Sequence, residues 1–104
     1  IGGMMDKIRN MQVEMEETKR RLKELKVSAE SGGGMVKVTM SCDTRLKSLE
    51  LDGALLQSND KDMLEDLIVA ATNKAIEEVE KTVEQEMGKL KGGMPDIPGL
   101  NLGF

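Results

Sequence analysis

Hydrophobic and polar residues alternate with a period of two over residues 27–52 and nowhere else in the chain. The alternation predicts an antiparallel sheet, because successive side chains of a strand point to opposite faces. Three strands are predicted, at residues 26–30, 35–41 and 46–51, and glycines 32–34 supply the positive φ of a tight hairpin between the first two. One face of the sheet is expected to be core, formed by Val27, Ala29, Val36, Val38, Met40, Leu49 and Leu51.

Before the sheet, the apolar positions of residues 4–25 advance by alternating steps of four and three, which predicts a helix with a heptad seam. Two Glu–Arg pairs with the acid four residues ahead, Glu16–Arg20 and Glu17–Arg21, add helical stability. The methionines are interpreted as packing residues, since thioethers fill irregular gaps. The seam consists of Met4, Ile8, Met11, Met15, Thr18, Leu22 and Leu25.

After the sheet, Gly53 breaks the pattern, and residues 58–60 offer an N-cap for a second long helix that continues to Gly92. Small alanines in its first half indicate a docked segment, with Leu67 and Ile68 in the core or dimer contact. Its second half is expected to project as an arm. Residues 1–91 are therefore predicted to form one domain, and residues 92–104, which hold two prolines and four glycines, a flexible tail.

The lengths of these elements predict a second copy of the chain. Helices of about 33 and 45 Å overhang strands of about 20 Å. Uncovered apolar stripes and an open sheet edge are liabilities in a monomer, and a homodimer would cover both. Because one helix enters the sheet and the other leaves it, their free ends near Met4 and Leu90 are expected to lie together. The predicted fold class is α+β.

Composition excludes several kinds of chemistry. The chain has no histidine and a single cysteine, Cys42, so one chain can form neither an internal disulfide, a zinc site nor a Cys/His nucleophile pair. The glycine run is followed by Met35 and lacks the Gly-Lys-Ser/Thr of a phosphate loop. We therefore expect no enzymatic activity, no cofactor, no metal and no small-molecule substrate.

Charge and hydropathy bear on partners and location. The net charge of −4 gives no general attraction to nucleic acids or acidic membranes, so an anionic partner needs a local basic patch. No apolar run approaches the length of about 20 residues that spans a membrane, and no secretory signal is visible. These observations predict a cytoplasmic protein without a membrane partner.

Four segments within residues 4–104 together resemble one protein family. They are the Met-rich, charged first helix ending before VSAESGGGMVKVTM, the strand and exit LKSLELDGALL, the helix start KDMLEDLIVAATNKAIEEV, and the glycine-proline tail. In this combination the chain resembles the YbaB/EbfC family of small bacterial nucleoid-associated proteins. The resemblance implies a tweezer-shaped homodimer that binds double-stranded DNA, with roles in nucleoid organisation and gene regulation.

Basic residues concentrate in the first helix, where five of them fall in KRRLKELK at residues 19–26. Charge alone is typical of a solvated face with intrahelical pairs; the resemblance favours contacts to DNA phosphates instead. Lys19, Lys23 and Lys26 are expected to share one helical face. The candidate DNA-binding residues are Arg9, Lys19, Arg20, Arg21, Lys23 and Lys26, and a second candidate set at the arm tips comprises Lys7, Lys81, Lys89 and Lys91.

A second function stays open at this stage. Long helical arms on a small β body also fit a protein-binding clamp with prefoldin-like chaperone or adaptor activity. The second helix, with nine acidic against five basic residues over 60–91, suits a polypeptide better than DNA.

Overall fold

The structure is a computed structural model that describes residues 2–90, so the tail predicted for residues 92–104 lies outside the described part. Its helices are α1 (Gly2–Glu24), α2 (Gly53–Gln57) and α3 (Lys61–Gly88), and its strands are β1 (Lys26–Ser31), β2 (Val36–Ser41) and β3 (Arg45–Leu51). The α+β order of long helix, three antiparallel strands and long helix is confirmed.

Helix α2 is a single turn between β3 and α3 that the sequence pattern did not predict. The Asp52 carboxylate caps it by accepting a hydrogen bond of 2.8 Å from the Ala54 N–H. Leu55 then inserts into the core with 2% of its surface exposed. A five-residue helix is too short to show a 3.6-residue period, so only the capping aspartate could have indicated it.

The strands pair in the order β1-β2-β3. Ser31 pairs with Val36 beside the hairpin turn, in which Gly32, Gly33 and Gly34 have φ of 61°, 67° and 95°. Between β2 and β3, the register shifts, because Thr39 pairs with Ser48 but Met40 pairs with Leu46. Lys47 is the extra residue of this β-bulge. The bulge keeps all the leucines of β3 on the same face of the sheet: Leu46, Leu49 and Leu51.

Helix α3 covers the apolar face of β1 and β2. Val36 and Val38 are fully buried there, and Met40 is 3% exposed. The buried residues of α3 recur every four positions, a stripe that moves about 40° around the helix at each step and so follows the twist of the sheet. Alanines at two of these positions let the helix backbone approach closely. The stripe consists of Ala71, Ala75, Val79, Val83 and Met87.

The expected division of α3 into a docked first half and a projecting second half is wrong, because this stripe runs through both halves. Ser31 Oγ donates a 2.6 Å hydrogen bond to the Leu67 carbonyl at one end of the sheet, and Thr82 lies beside Cys42 at the other end. Helix α3 therefore spans the whole sheet. Leu67 and Ile68, near its start, are only half-buried.

Helix α1 projects alone. Thr18 and Leu22 are buried, whereas Met4 is 72% exposed. Arg21 contacts Glu86 of α3 at 3.5 Å. Met4 lies about 25 Å back along α1 from this contact, while Leu90 lies only about 6 Å beyond it along α3. The expectation that the free ends lie together is wrong, and residues 2–15, here called the arm, extend past the end of α3.

The two glycines at the start of the hairpin turn give a matched test of this packing. Alanine at either position costs about 1 kcal/mol for its left-handed backbone. A Cβ at Gly32 would also lie 3.0 Å from Leu67 Cδ1, whereas at Gly33 it would meet nothing within 4 Å. In urea denaturation, we expect Gly33→Ala to lower the free energy of unfolding by about 1 kcal/mol and Gly32→Ala to lower it further. Equal losses would contradict the contact between the turn and α3.

Candidate nucleic-acid interface

The basic residues of α1 lie mainly on the side turned away from the core. At about 100° per residue, Arg9 and Arg20 fall within about 20° of the direction opposite the buried pair Thr18 and Leu22. Lys23 lies beside them and Lys19 lies on the flank of the same surface. All of these basic side chains are exposed, so the helix presents them to solvent.

Some of these basic residues contact a carboxylate within the described part of the protein, and others do not. Lys19 Nζ lies 3.7 Å from Glu16 on the same helix, an exposed pair of little energetic weight. Arg21 contacts both Glu86 and the Thr18 hydroxyl. Within residues 2–90, no carboxylate lies at ion-pair distance from the remaining candidates, which are Arg9, Arg20, Lys23 and Lys26.

Lys26 does not share a helical face with Lys19 and Lys23, contrary to expectation. Helix α1 ends at Glu24, and the Leu25 carbonyl accepts a 2.8 Å hydrogen bond from the Cys42 N–H. This bond turns the chain into the sheet, so Lys26 is the first residue of β1.

The sheet adds two basic residues that the sequence did not assign to the site. Lys26 pairs with Ser41, and Ser41 pairs with Arg45, so Lys26 and Arg45 lie in one row across three strands. Their Cα atoms are therefore about 10 Å apart. The bulge residue Lys47 follows at the same end of the sheet, where α1 also ends. Strand pairing creates this neighbourhood, and the sequence signal was limited to the alternating basic residues of Arg45–Leu51.

Acidic groups reduce the positive charge at this end of the sheet. Asp43, in the turn between β2 and β3, accepts a hydrogen bond from Ser41 Oγ, which lowers the pKa of that carboxyl, and Lys47 and Arg45 lower it further. Asp43 is thus held as an anion beside the basic pair. Burial raises the pKa of the Cys42 thiol, and the negative charges of Asp43 and Glu86 add to the effect. The thiol is therefore held in its protonated form.

Glu86 joins α1 to α3. Its side chain is 13% exposed and contacts Arg21 at 3.5 Å and Lys89 at 3.2 Å. Of the basic residues in KRRLKELK, Arg21 is therefore the one that is held against the body. Its guanidinium contacts α3 and is therefore less available to an anionic partner.

The described members of the second candidate set are not brought together within one chain. Lys81 pairs with Glu78 at 3.5 Å, and Lys89 pairs with Glu86. Lys7 lies on the arm, roughly 15 Å beyond Lys89 along the helix axes. Lys91 lies outside the described residues.

The described residues contain no group of three or more His, Cys, Asp or Glu side chains placed to hold a metal ion. None of the helices within residues 2–90 is long and apolar enough to cross a membrane.

Comparison with known proteins identifies the family. The sequence model of the YbaB/EbfC DNA-binding family matches residues 1–94. The chain belongs to this family. The match covers the whole body and the arm of the YbaB/EbfC protein described here, and it confirms the resemblance seen in the sequence.

Individual relatives agree with this assignment. This YbaB/EbfC chain is 41% identical over 104 residues to the nucleoid-associated protein BAV0915 of Bordetella avium, with 100% of this chain and 95% of the relative covered. The crystal structure of the uncharacterized protein HP0035 from Helicobacter pylori matches with a TM-score of 0.67 and 28% identity, over 81% of this chain and 85% of that chain. The fold is thus shared with an experimentally determined structure.

The ion pairs of Glu86 can be tested by Glu86→Gln, which keeps the shape of the side chain and removes its charge. We expect the free energy of unfolding to fall by less than about 1 kcal/mol at low salt, because Arg21 and Lys89 are largely exposed. The difference from wild type should shrink at high salt. Glu78→Gln, which removes a pair within α3 only, is the control in urea denaturation. A loss of stability in Glu86→Gln that is unchanged by salt would contradict the electrostatic role.

Proposed function

We propose that this YbaB/EbfC protein is a cytoplasmic, nucleoid-associated homodimer that binds double-stranded DNA through its phosphate backbone, with roles in nucleoid organisation and gene regulation. Membership of a DNA-binding family and the exposed basic surface of α1 carry this proposal together. The name of the Bordetella avium relative supports the nucleoid association, because the identity extends over the full chain.

The chemistry of the basic surface favours backbone contacts over base recognition. Arg9, Arg20 and Lys23 offer charged donors without competing carboxylates, and phosphate oxygens are their natural acceptors. Phe104 is the only aromatic residue in the sequence, so bases have almost no stacking platform. Binding of this kind tolerates many sequences and depends strongly on salt.

The apolar face that α3 leaves uncovered supports the proposed homodimer. Leu46 and Leu49 of β3 are 50% and 42% exposed, although their strand partners Met40 and Val38 are 3% and 0% exposed. Leu51 is half-buried on the same face. Half-buried apolar residues of α3, which include Ile68, lie beside the buried stripe. A second copy would bury these apolar residues together.

The DNA contacts are tested by the double substitution Arg20→Glu and Lys23→Glu. Affinity for duplex DNA should fall for all sequences alike, and the slope of log affinity against log salt should flatten by about 0.9 for each phosphate that the variant no longer neutralises. Gel-shift or fluorescence titration at several salt concentrations measures both effects. Circular dichroism should show unchanged helix content, since both side chains are exposed.

A matched control carries the same change in charge on α3, through Lys81→Glu and Lys89→Glu. A larger fall in affinity there would move the DNA site to the second candidate set. If the wild-type protein shows no salt-dependent binding to duplex DNA, while it suppresses the aggregation of an unfolded client, the clamp function replaces the proposal.

The dimer is tested by Leu49→Asp on the uncovered face of β3. Because Leu49 is already partly exposed, the protomer should fold, but a carboxylate buried without a partner in an apolar interface costs several kcal/mol. Light scattering should therefore report twice the chain mass for wild type and a single chain for the variant. Ser48→Asp, on the opposite face of the same strand, should remain dimeric. Equal behaviour of the two variants would contradict this interface.

A further inference from the structure

The arm carries an apolar seam that the described residues of its own protomer leave open. Met4, Ile8 and Met11 are 72%, 49% and 52% exposed and continue the four-three spacing of a coiled coil into Met15, which is half-buried. We propose that the arm of one copy packs antiparallel against the arm of a second copy.

Charge complementarity selects this partner and this orientation. Lys7 and Glu14 flank the seam on one side, seven residues and two turns apart, and neither forms an ion pair within the described protomer. When Ile8 packs opposite Met11 of a second copy in antiparallel orientation, Lys7 lies beside Glu14 of that copy. The two-fold symmetry of the pair makes the reciprocal contact identical. One interface thus contains two equal ion pairs.

The other side of the seam agrees with the same register. Met5 and Gln12 face each other across an antiparallel pair, without charge repulsion. A parallel pair would place Lys7 beside Gln12, without an opposite charge, and Glu14 beside Lys19, which lies outside the arm and already contacts Glu16 at 3.7 Å. The antiparallel orientation is therefore the one that pairs the two charges of the arm with each other.

The antiparallel orientation also determines which copies are joined. In this register the two Thr18 residues lie about 25 Å apart, with one body at each end of the paired arms. Copies joined by their arms cannot therefore be the ones joined at β3. The inference rests on the homodimer proposed above, but not on DNA binding, and it predicts that arms link dimers into larger assemblies. With about four seam residues per arm, the contact is far below the roughly 1,200 Å² of a stable interface. It should act mainly where dimers are concentrated, as they are along DNA.

Charge exchange tests the contact without DNA. Sedimentation velocity at rising concentration and low salt should show wild type forming species larger than the dimer. Lys7→Glu or Glu14→Lys alone converts both ion pairs into repulsions and should weaken this association by about tenfold or more. The double substitution Lys7→Glu with Glu14→Lys should restore it.

Mixing the two single variants gives the decisive test. The new carboxylate at position 7 of one variant then faces the new ammonium at position 14 of the other, so association should return although each variant alone is weak. An effect of either substitution on helix stability within one chain would not be restored by mixing. Failure of the mixture to associate more strongly than its components would overturn the antiparallel pairing.

The apolar part of the contact has its own matched pair. Ile8→Lys lies on the seam, whereas Val13→Lys replaces a residue that is 50% exposed on the opposite side of the same helix. Only Ile8→Lys should abolish the larger species. The proposal fails if wild type never forms species larger than the dimer. It also fails if all charge variants associate as wild type does while deletion of residues 91–104 changes self-association; in that case residues 91–104 occupy the seam. DNA binding by Ile8→Lys is measured separately, so failure of the arm contact and failure of the proposed function remain distinct.

Discussion

The close contact between α3 and the first two strands determines which apolar surface of the sheet stays uncovered. Ala71 and Ala75 have no surface exposed, and small side chains at these positions bring the helix backbone near the sheet. A single helix in close contact covers about two strands, because neighbouring strands lie about 4.8 Å apart and a helix with its side chains is about 10 Å wide. Within residues 2–90, the third strand is left with an apolar face and no helix above it. The proposed homodimer would cover this face.

The features set by local physics could be predicted from the sequence. Alternation of apolar and polar residues located the three strands to within one residue, the glycines located the turn, and the capping hydrogen bond from the Met63 N–H to the Asp60 carboxylate begins α3 where expected. The basic character of α1 was equally visible. These properties depend on residues that are neighbours along the chain, so a single sequence contains them.

The features that depend on tertiary geometry could not be predicted in this way. The bulge at Lys47 arises from strand register, and it brings Leu46 to the apolar face, where simple alternation would have placed it with the polar residues. Arg45 joins Lys26 only through two ladders of strand pairing. The position of α1 relative to α3 depends on how far α3 overlaps the sheet, and element lengths alone do not give that overlap.

The attachment of α1 gives the arm the mechanics of a lever. Its fulcrum is the last two turns, where Leu22 is buried and Arg21 contacts Glu86 across a partly exposed ion pair. Met4 lies about 27 Å from Leu22, so a rotation of about 10° at the fulcrum moves the tip by about 5 Å. A small change of angle at the base of α1 is therefore amplified at the tip of the arm.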